Sequence, residues 1–164
     1  METTSILIKL RKIIRSIHLE SKKIQKEYGI SIPQVLCLSY LQECPNYQST
    51  QNDVRKFLHL NASTASGIIN RLEKKGLIAR LPKSADKRIT NIALTARGDA
   101  LITNIPPLLH DQLTGKLKDE PQTEINQIIH TLDTLIHLLG IEEVQATPII
   151  TSSDDLNNNS ETGP

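Results

Sequence analysis

The helical period of this chain breaks once in its middle, between Gly76 and Thr95, and the break restricts the folds open to it. Before it, apolar residues recur at helical spacing. Then "LIARL" and "RITNIAL" form two β-prone runs around "PKSADK", whose Pro, Lys, Ser and Asp favour a turn. Such a pattern is a hairpin signal. A helical chain that carries one charged hairpin must pack it against a helix, because an isolated hairpin is marginally stable in water.

The flanking segments read as helices. Ile6, Leu10, Ile13, Ile14, Ile17 and Ile24 predict an amphipathic helix over residues 5–28 that Gly29 closes. Ser31 and Gln34 form a capping box, with Pro33 tolerated in the first turn, for a second helix to about Cys44. "CPNYQS" reads as a turn. A third helix starts at Ser49 or Thr50, with Asp53 in its first turn and Val54, Phe57 and Leu58 as its buried stripe. After the short turn "HLN", Asn61 caps a fourth helix, 61–75, with Ala62, Ala65, Ile69 and Leu72 on one face. Helix, tight turn, helix is a helix-turn-helix candidate, and a hairpin directly after it makes a winged helix. Thr95 caps a further helix, "ARGDALITNIPPLL", which Pro106 and Pro107 bend or interrupt. A last helix covers 122–139, with Ile125, Ile128, Ile129, Leu132, Leu135, Ile136 and Leu139 as its stripe.

The expected fold is therefore mainly α with a small β-wing. A winged helix-turn-helix lobe over 31–99 is flanked by helices at 5–30 and 100–140. All belong to a single domain of residues 1–145, and 146–164 is a disordered polar tail. With one Phe, three Tyr and no Trp, the core must be built from Leu and Ile. No apolar run approaches the roughly 20 residues that span a bilayer, and the N-terminus lacks the h-region of a signal peptide. Cys37 and Cys44 make no disulfide framework, so a cytoplasmic location is expected. Without a phosphate loop, a nucleophile elbow or a workable metal-ligand cluster, neither catalysis nor a cofactor is expected.

Charge narrows the partner. Residues 55–88 hold nine Lys/Arg against Glu73 and Asp86, whereas 141–164 hold five acids and no base. The basic block suits a polyanion. On 61–75, the face opposite the apolar one carries Ser63, Thr64, Ser66, Gly67, Asn70, Arg71 and Lys74. Small residues let a helix approach base edges; Ser, Thr, Asn and Arg can bond bases or phosphates. In the wing, Arg80, Lys83, Lys87 and Arg88 surround Asp86. An acid two residues before an arginine can accept its hydrogen bonds and aim it, and an aimed arginine suits a narrow minor groove. Ser49, Thr50, Gln51 and Asn61 complete the candidate DNA-binding set. The competing reading of this surface is a winged helix that contacts an acidic protein without specific DNA binding.

From Ser49 to Leu101 the sequence resembles the core of the MarR family of bacterial and archaeal transcription regulators. The match lies in "RLEKKGLI", the following Arg80, the "DKR" wing tip and "LTARG", in that order and spacing. The resemblance implies a homodimer in which N- and C-terminal dimerisation helices of two chains interleave. It implies a repressor of double-stranded DNA, with helix 61–75 in the major groove and Arg88 of wing 80–92, oriented by Asp86, at the minor groove. Two-fold symmetry implies a pseudo-palindromic operator with half-sites ~34–36 Å apart. The long apolar stripes of the terminal helices favour burial by a partner chain as well. One departure is Arg55, where the family usually has a small Ala; a cation there must leave the helix pair or snorkel outward.

Family members that sense oxidants, zinc or small molecules suggest three further sites. Cys37 and Cys44 lie ~10 Å apart along one helix, too far for a disulfide within it, and read better as buried small hydrophobes than as a redox sensor. His130, Asp133 and His137 share a face, but the histidines are again ~10 Å apart, so no metal site is expected. His18, Tyr28, Tyr40 and His110 are the candidates for an effector cleft.

Overall fold

In the computed structural model, residues 1–146 are described. The expected tail falls outside them from residue 147 onward. Met1–Pro106 form one compact unit and Pro107–Ala146 a second.

The first unit opens with α1 (Glu2–Tyr28), longer at its start than the sequence suggested, and closed by Gly29. Its C-terminal half buries Ser21 and Ile24, whereas Ile6, Ile8, Ile13 and Ile14 are about half exposed. α2 (Ile32–Glu43) begins with the expected capping box: the Gln34 amide N–H reaches Ser31 Oγ and the Ser31 N–H reaches Gln34 Oε1. Its Val35, Cys37, Leu38 and Leu41 are fully enclosed and form the centre of the core. Burial pushes the Cys37 thiol up to about 12, which keeps it protonated and unreactive; Cys44 is half-buried at the helix end.

"CPNYQS" is more than a turn. A 3₁₀ turn (Pro45–Tyr47) leads into β1 (Gln48–Thr50). This strand pairs antiparallel with β3 (Asn91–Leu94), which also pairs with β2 (Ile78–Arg80), in the order β1-β3-β2. Both wing strands are shorter than the sequence suggested, and residues 81–90 form an extended loop between them. The wing is therefore rooted in a three-stranded sheet.

α3 (Gln51–Phe57) is capped by Thr50, whose hydroxyl accepts from the Asp53 N–H, and α4 (Ala62–Lys74) by Asn61, whose carboxamide accepts from the Thr64 N–H at 2.8 Å. α4 buries Ala65, Ile68, Ile69 and Leu72, while Ala62, expected on that face, is exposed. Phe57 is likewise half exposed, stacking on Tyr40 at 4.5 Å between centroids instead of entering the core.

The α3–α4 turn is set by backbone bonds. The Leu60 N–H reaches the Arg55 carbonyl and the His59 N–H the Lys56 carbonyl, the pairing of a Schellman cap. His59 sits in it at φ 52°, where a side chain strains the backbone. Replacing His59 by Gly should raise stability by about 0.5–1 kcal/mol, after the extra entropy glycine loses on folding. Urea denaturation measures this; a less stable variant would mean that the imidazole contributes more than its backbone costs. Arg55 closes the same turn from outside. Its guanidinium bonds Asn52 Oδ1 at 3.0 Å and the Leu60 carbonyl at 3.4 Å, which is how the helix pair accepts a cation at this position.

α5 (Ala96–Asn104) starts at Thr95, which accepts from the Gly98 N–H and donates from Oγ1 to the Gly76 carbonyl at 2.7 Å. Pro106 and Pro107 do more than bend this helix. It stops at Asn104, and a separate α6 (Leu109–Leu117) begins in the second unit, with Asp111 accepting from the Leu108 N–H. α7 (Gln122–Leu139) has the expected bounds, and Ile128, Ile129, Leu132 and Leu139 on it are about half exposed. No helix among the described residues is long and apolar enough to cross a membrane.

Candidate nucleic-acid interface

α4 presents a polar face opposite its buried one. At 100° per residue, Ser63, Gly67, Asn70 and Lys74 stack in one column, with Thr64 and Arg71 beside it. The Arg71 guanidinium folds back over Gly67, 3.6 Å from where a Cβ would stand. The start of α3 joins this surface: Gln51 Nε2 donates to Ser66 Oγ at 3.0 Å. Thr50, Gln51 and Asn52 of α3, Ala62 of α4, and Arg88 and Thr90 of the wing line one open groove of about 490 Å³. Asn52, Asp53 and Thr90 were not in the DNA-binding set expected from sequence; they share the groove with the wing because β3 returns beside α3, where the Gln51 N–H bonds the Thr90 carbonyl at 2.9 Å.

At the wing tip the expected pair is formed. Asp86 Oδ1 accepts from the Arg88 backbone N–H at 3.0 Å and from Arg88 Nε at 3.1 Å, and Oδ2 accepts from Nη2 at 3.3 Å. The Arg88 side chain is nonetheless 91% exposed, so it is aimed without being covered. These bonds hold the Asp86 carboxyl below its ordinary value, the side-chain bond first and the backbone bond second. A depressed folded pKa means that the arrangement is intact above the ordinary carboxylate range and is lost only as pH falls through the lowered value. The Arg88 Nε–H resonance should therefore respond to acid only below the ordinary carboxylate range; a transition within or above that range would contradict the bonded geometry. Lys83 and Lys87 are exposed on the same loop.

Four of the expected contacts have local duties. Thr50 and Asn61 are helix caps, and Ser49 donates to the Tyr40 hydroxyl at 3.5 Å. Arg80, expected to face DNA, turns onto α4 instead: it pairs with Glu73 and donates from Nη2 to Asn70 Oδ1 at 2.6 Å.

Two of the expected effector residues, His18 and Tyr28, line different clefts of the first unit. His18 and Tyr28 are ten residues apart on α1, which separates them by ~15 Å along its axis. His18 lies among Arg11, Ile14, Arg15 and Lys22. Tyr28 bonds the Asn104 carbonyl at 3.3 Å and lines a cleft of about 490 Å³ with Lys74, Lys75 and Arg97. Tyr40 stacks on Phe57, and His110 is on α6 of the second unit. No group of three or more His, Cys, Asp or Glu among the described residues could hold a metal ion; His137 Nδ1 lies 2.7 Å from Glu142.

A helix-turn-helix whose second helix runs into an antiparallel sheet with a protruding charged loop defines a winged-helix protein. Residues 30–90 match the model of the MarR family. The chain is 29% identical over 128 residues to the HTH-type transcriptional regulator YsmB of Bacillus subtilis, spanning 78% of this chain and 86% of that one. It is 26% identical over 124 residues to the transcriptional repressor MprA of Escherichia coli, spanning 70% of each. The fold is similar to that of S. aureus MepR in a DNA complex, with a TM-score of 0.61, 25% identity, and 79% of this chain and 95% of that one covered. The likeness is to transcription regulators of the MarR family, and the family model lies over the winged-helix lobe.

Proposed function

We propose that the protein binds a pseudo-palindromic operator in double-stranded DNA as a homodimer and represses transcription there. α4, with its cap (61–75), enters the major groove, and the wing (80–92) reaches the minor groove. The observation that carries this reading is Arg88, braced by Asp86 and held out into solvent on the groove that it lines with the starts of α3 and α4. A cation fixed in direction before binding loses little freedom on entering a groove of strong negative potential. The relatives agree: MprA is a repressor, and MepR has been solved on DNA. The half-exposed apolar residues of α1 and α7 support the homodimer, since contiguous apolar surface on a helix calls for a partner. The reading puts the regulator where its DNA is, in the cytoplasm. Of the four residues expected at an effector cleft, Tyr28 supports a small-molecule effector, because its cleft also holds three cations.

Fluorescence anisotropy with duplex DNA from upstream of its own gene, against a shuffled duplex of equal length, tests the function. We expect binding at least a thousandfold tighter to the first, and affinity that falls steeply with salt as counterions are released. Equal affinity for both duplexes, with a flat salt dependence, would instead favour a protein-interaction module.

A further inference from the structure

Arg80 and Asn70 have a relationship that bears on which base α4 reads. Asn70 stands in the middle of the exposed column, between Gly67 and Lys74 and opposite buried Ile69 and Leu72. Arg80 is the last residue of β2, where the chain leaves the sheet for the wing loop. Its guanidinium bridges two side chains one turn apart on α4: Nη1 to Glu73 Oε2, and Nη2 to Asn70 Oδ1 at 2.6 Å. A guanidinium has donors only, so the amide atom facing it must be the carbonyl oxygen. The Asn70 NH₂ is then the group left to face outward. Glu73 meanwhile balances the Arg80 charge, which removes it from the cations available to phosphate.

We infer that Arg80 is a positioning residue that holds Asn70 in a donor-only orientation, so that Asn70 reads a base-edge acceptor on guanine or thymine in the major groove and not adenine. An asparagine recognises adenine by accepting from N6 and donating to N7 at once. Arg80 takes one lone pair of Oδ1 and fixes the amide plane with that oxygen turned toward the protein, so the coplanar two-point match to adenine is lost. What remains is a donor pair: guanine offers it two neighbouring acceptors, O6 and N7, and thymine offers O4, whereas adenine offers N7 alone beside its own N6 donor. The inference rests on the DNA-binding reading above, and supplies the specificity of one position within it.

Selection from a randomised duplex pool tests it, with wild type, Asn70→Asp, Arg80→Ala and Arg80→Lys in parallel. The wild type should select guanine or thymine at one symmetric pair of positions. Asn70→Asp keeps the bond to Arg80 but presents an acceptor in place of the donor, so the preference there should switch to cytosine or adenine. Arg80→Ala should admit adenine at that position, with at least a tenfold loss on the wild-type consensus, while Arg80→Lys, which keeps a donor, restores the original base. Two results would overturn the inference. One is an Asn70→Asp protein that selects the wild-type base. The other is an Arg80→Ala protein with unchanged base preferences and a salt slope reduced by about two, one per protomer, the signature of a direct phosphate contact. If Arg80→Ala fails to fold, Asn70→Asp decides alone. A wild type that selects no sequence at all would overturn the proposed function together with the inference.

Discussion

Replacing Arg88 by Ala should lower operator affinity by about thirtyfold or more, while leaving the thermal midpoint and the oligomeric state unchanged. Its side chain is 91% exposed and its bonds within the protein are to Asp86, so its removal opens no cavity. A groove contact by an arginine is worth ~1–3 kcal/mol, and a two-fold dimer would lose two of them. At about 1.4 kcal/mol per factor of ten, the expected loss runs from about thirtyfold to about 10⁴-fold. Asp86→Ala should show a smaller loss in the same direction, because it keeps the cation and removes its aim. Anisotropy titrations at fixed salt measure both. Dissociation or unfolding of Arg88→Ala would place the residue in the body of the protein, against the geometry of the wing.

The largest expected effect on stability is at Gly98. A Cβ built there would stand 2.1 Å from the Leu77 carbonyl oxygen and 2.7 Å from Leu94 Cδ1. The first of these is backbone in the segment entering β2 and cannot rotate away. The close approach exists because Thr95 binds α5 to the exit of α4, its N–H to the Leu77 carbonyl at 3.1 Å and its hydroxyl to the Gly76 carbonyl. Gly98→Ala must push α5 off the sheet, at a cost of about 3 kcal/mol. For a chain of this size that lowers the melting temperature by about 10 °C. A melting temperature within 2 °C of wild type would show that α5 shifts without cost. The same shift should loosen the end of α4, so Gly98→Ala should also weaken DNA binding in proportion to the unfolded fraction.

What the sequence made legible follows from how local each feature is. The capping box of α2, the caps Thr50, Asn61 and Thr95, and the bounds of α7 depend on residues within one helical turn, and all appear as expected. The Asp86–Arg88 pair is equally local, with one residue between partners. The features that escaped are non-local. β1 is three residues long and exists because β3 returns to pair with it some forty residues later, which no periodicity within "CPNYQS" encodes. Likewise, Arg80 looks from sequence like one more cation in a basic block. Only the fold of β2 back along α4 brings it to Asn70 and Glu73. The acid at Glu73 was the available clue, as one of just two in that block. Arg55 shows the reverse: sequence marked it as awkward, and the structure gives it Asn52 and the Leu60 carbonyl. The effector candidates were grouped by residue type, whereas helix geometry holds His18 and Tyr28 ~15 Å apart along α1.

Hydroxyl-radical footprinting of the protein on the DNA upstream of its own gene tests the central claim most directly, since it reads sequence preference, symmetry and the wing together. The account predicts two equivalent sets of protected sugars related by a two-fold axis, ~34–36 Å apart, each with a minor-groove patch that disappears in Arg88→Ala while the rest persists under saturating protein. Uniform protection along the duplex, or a pattern that Arg88→Ala leaves intact, would contradict it.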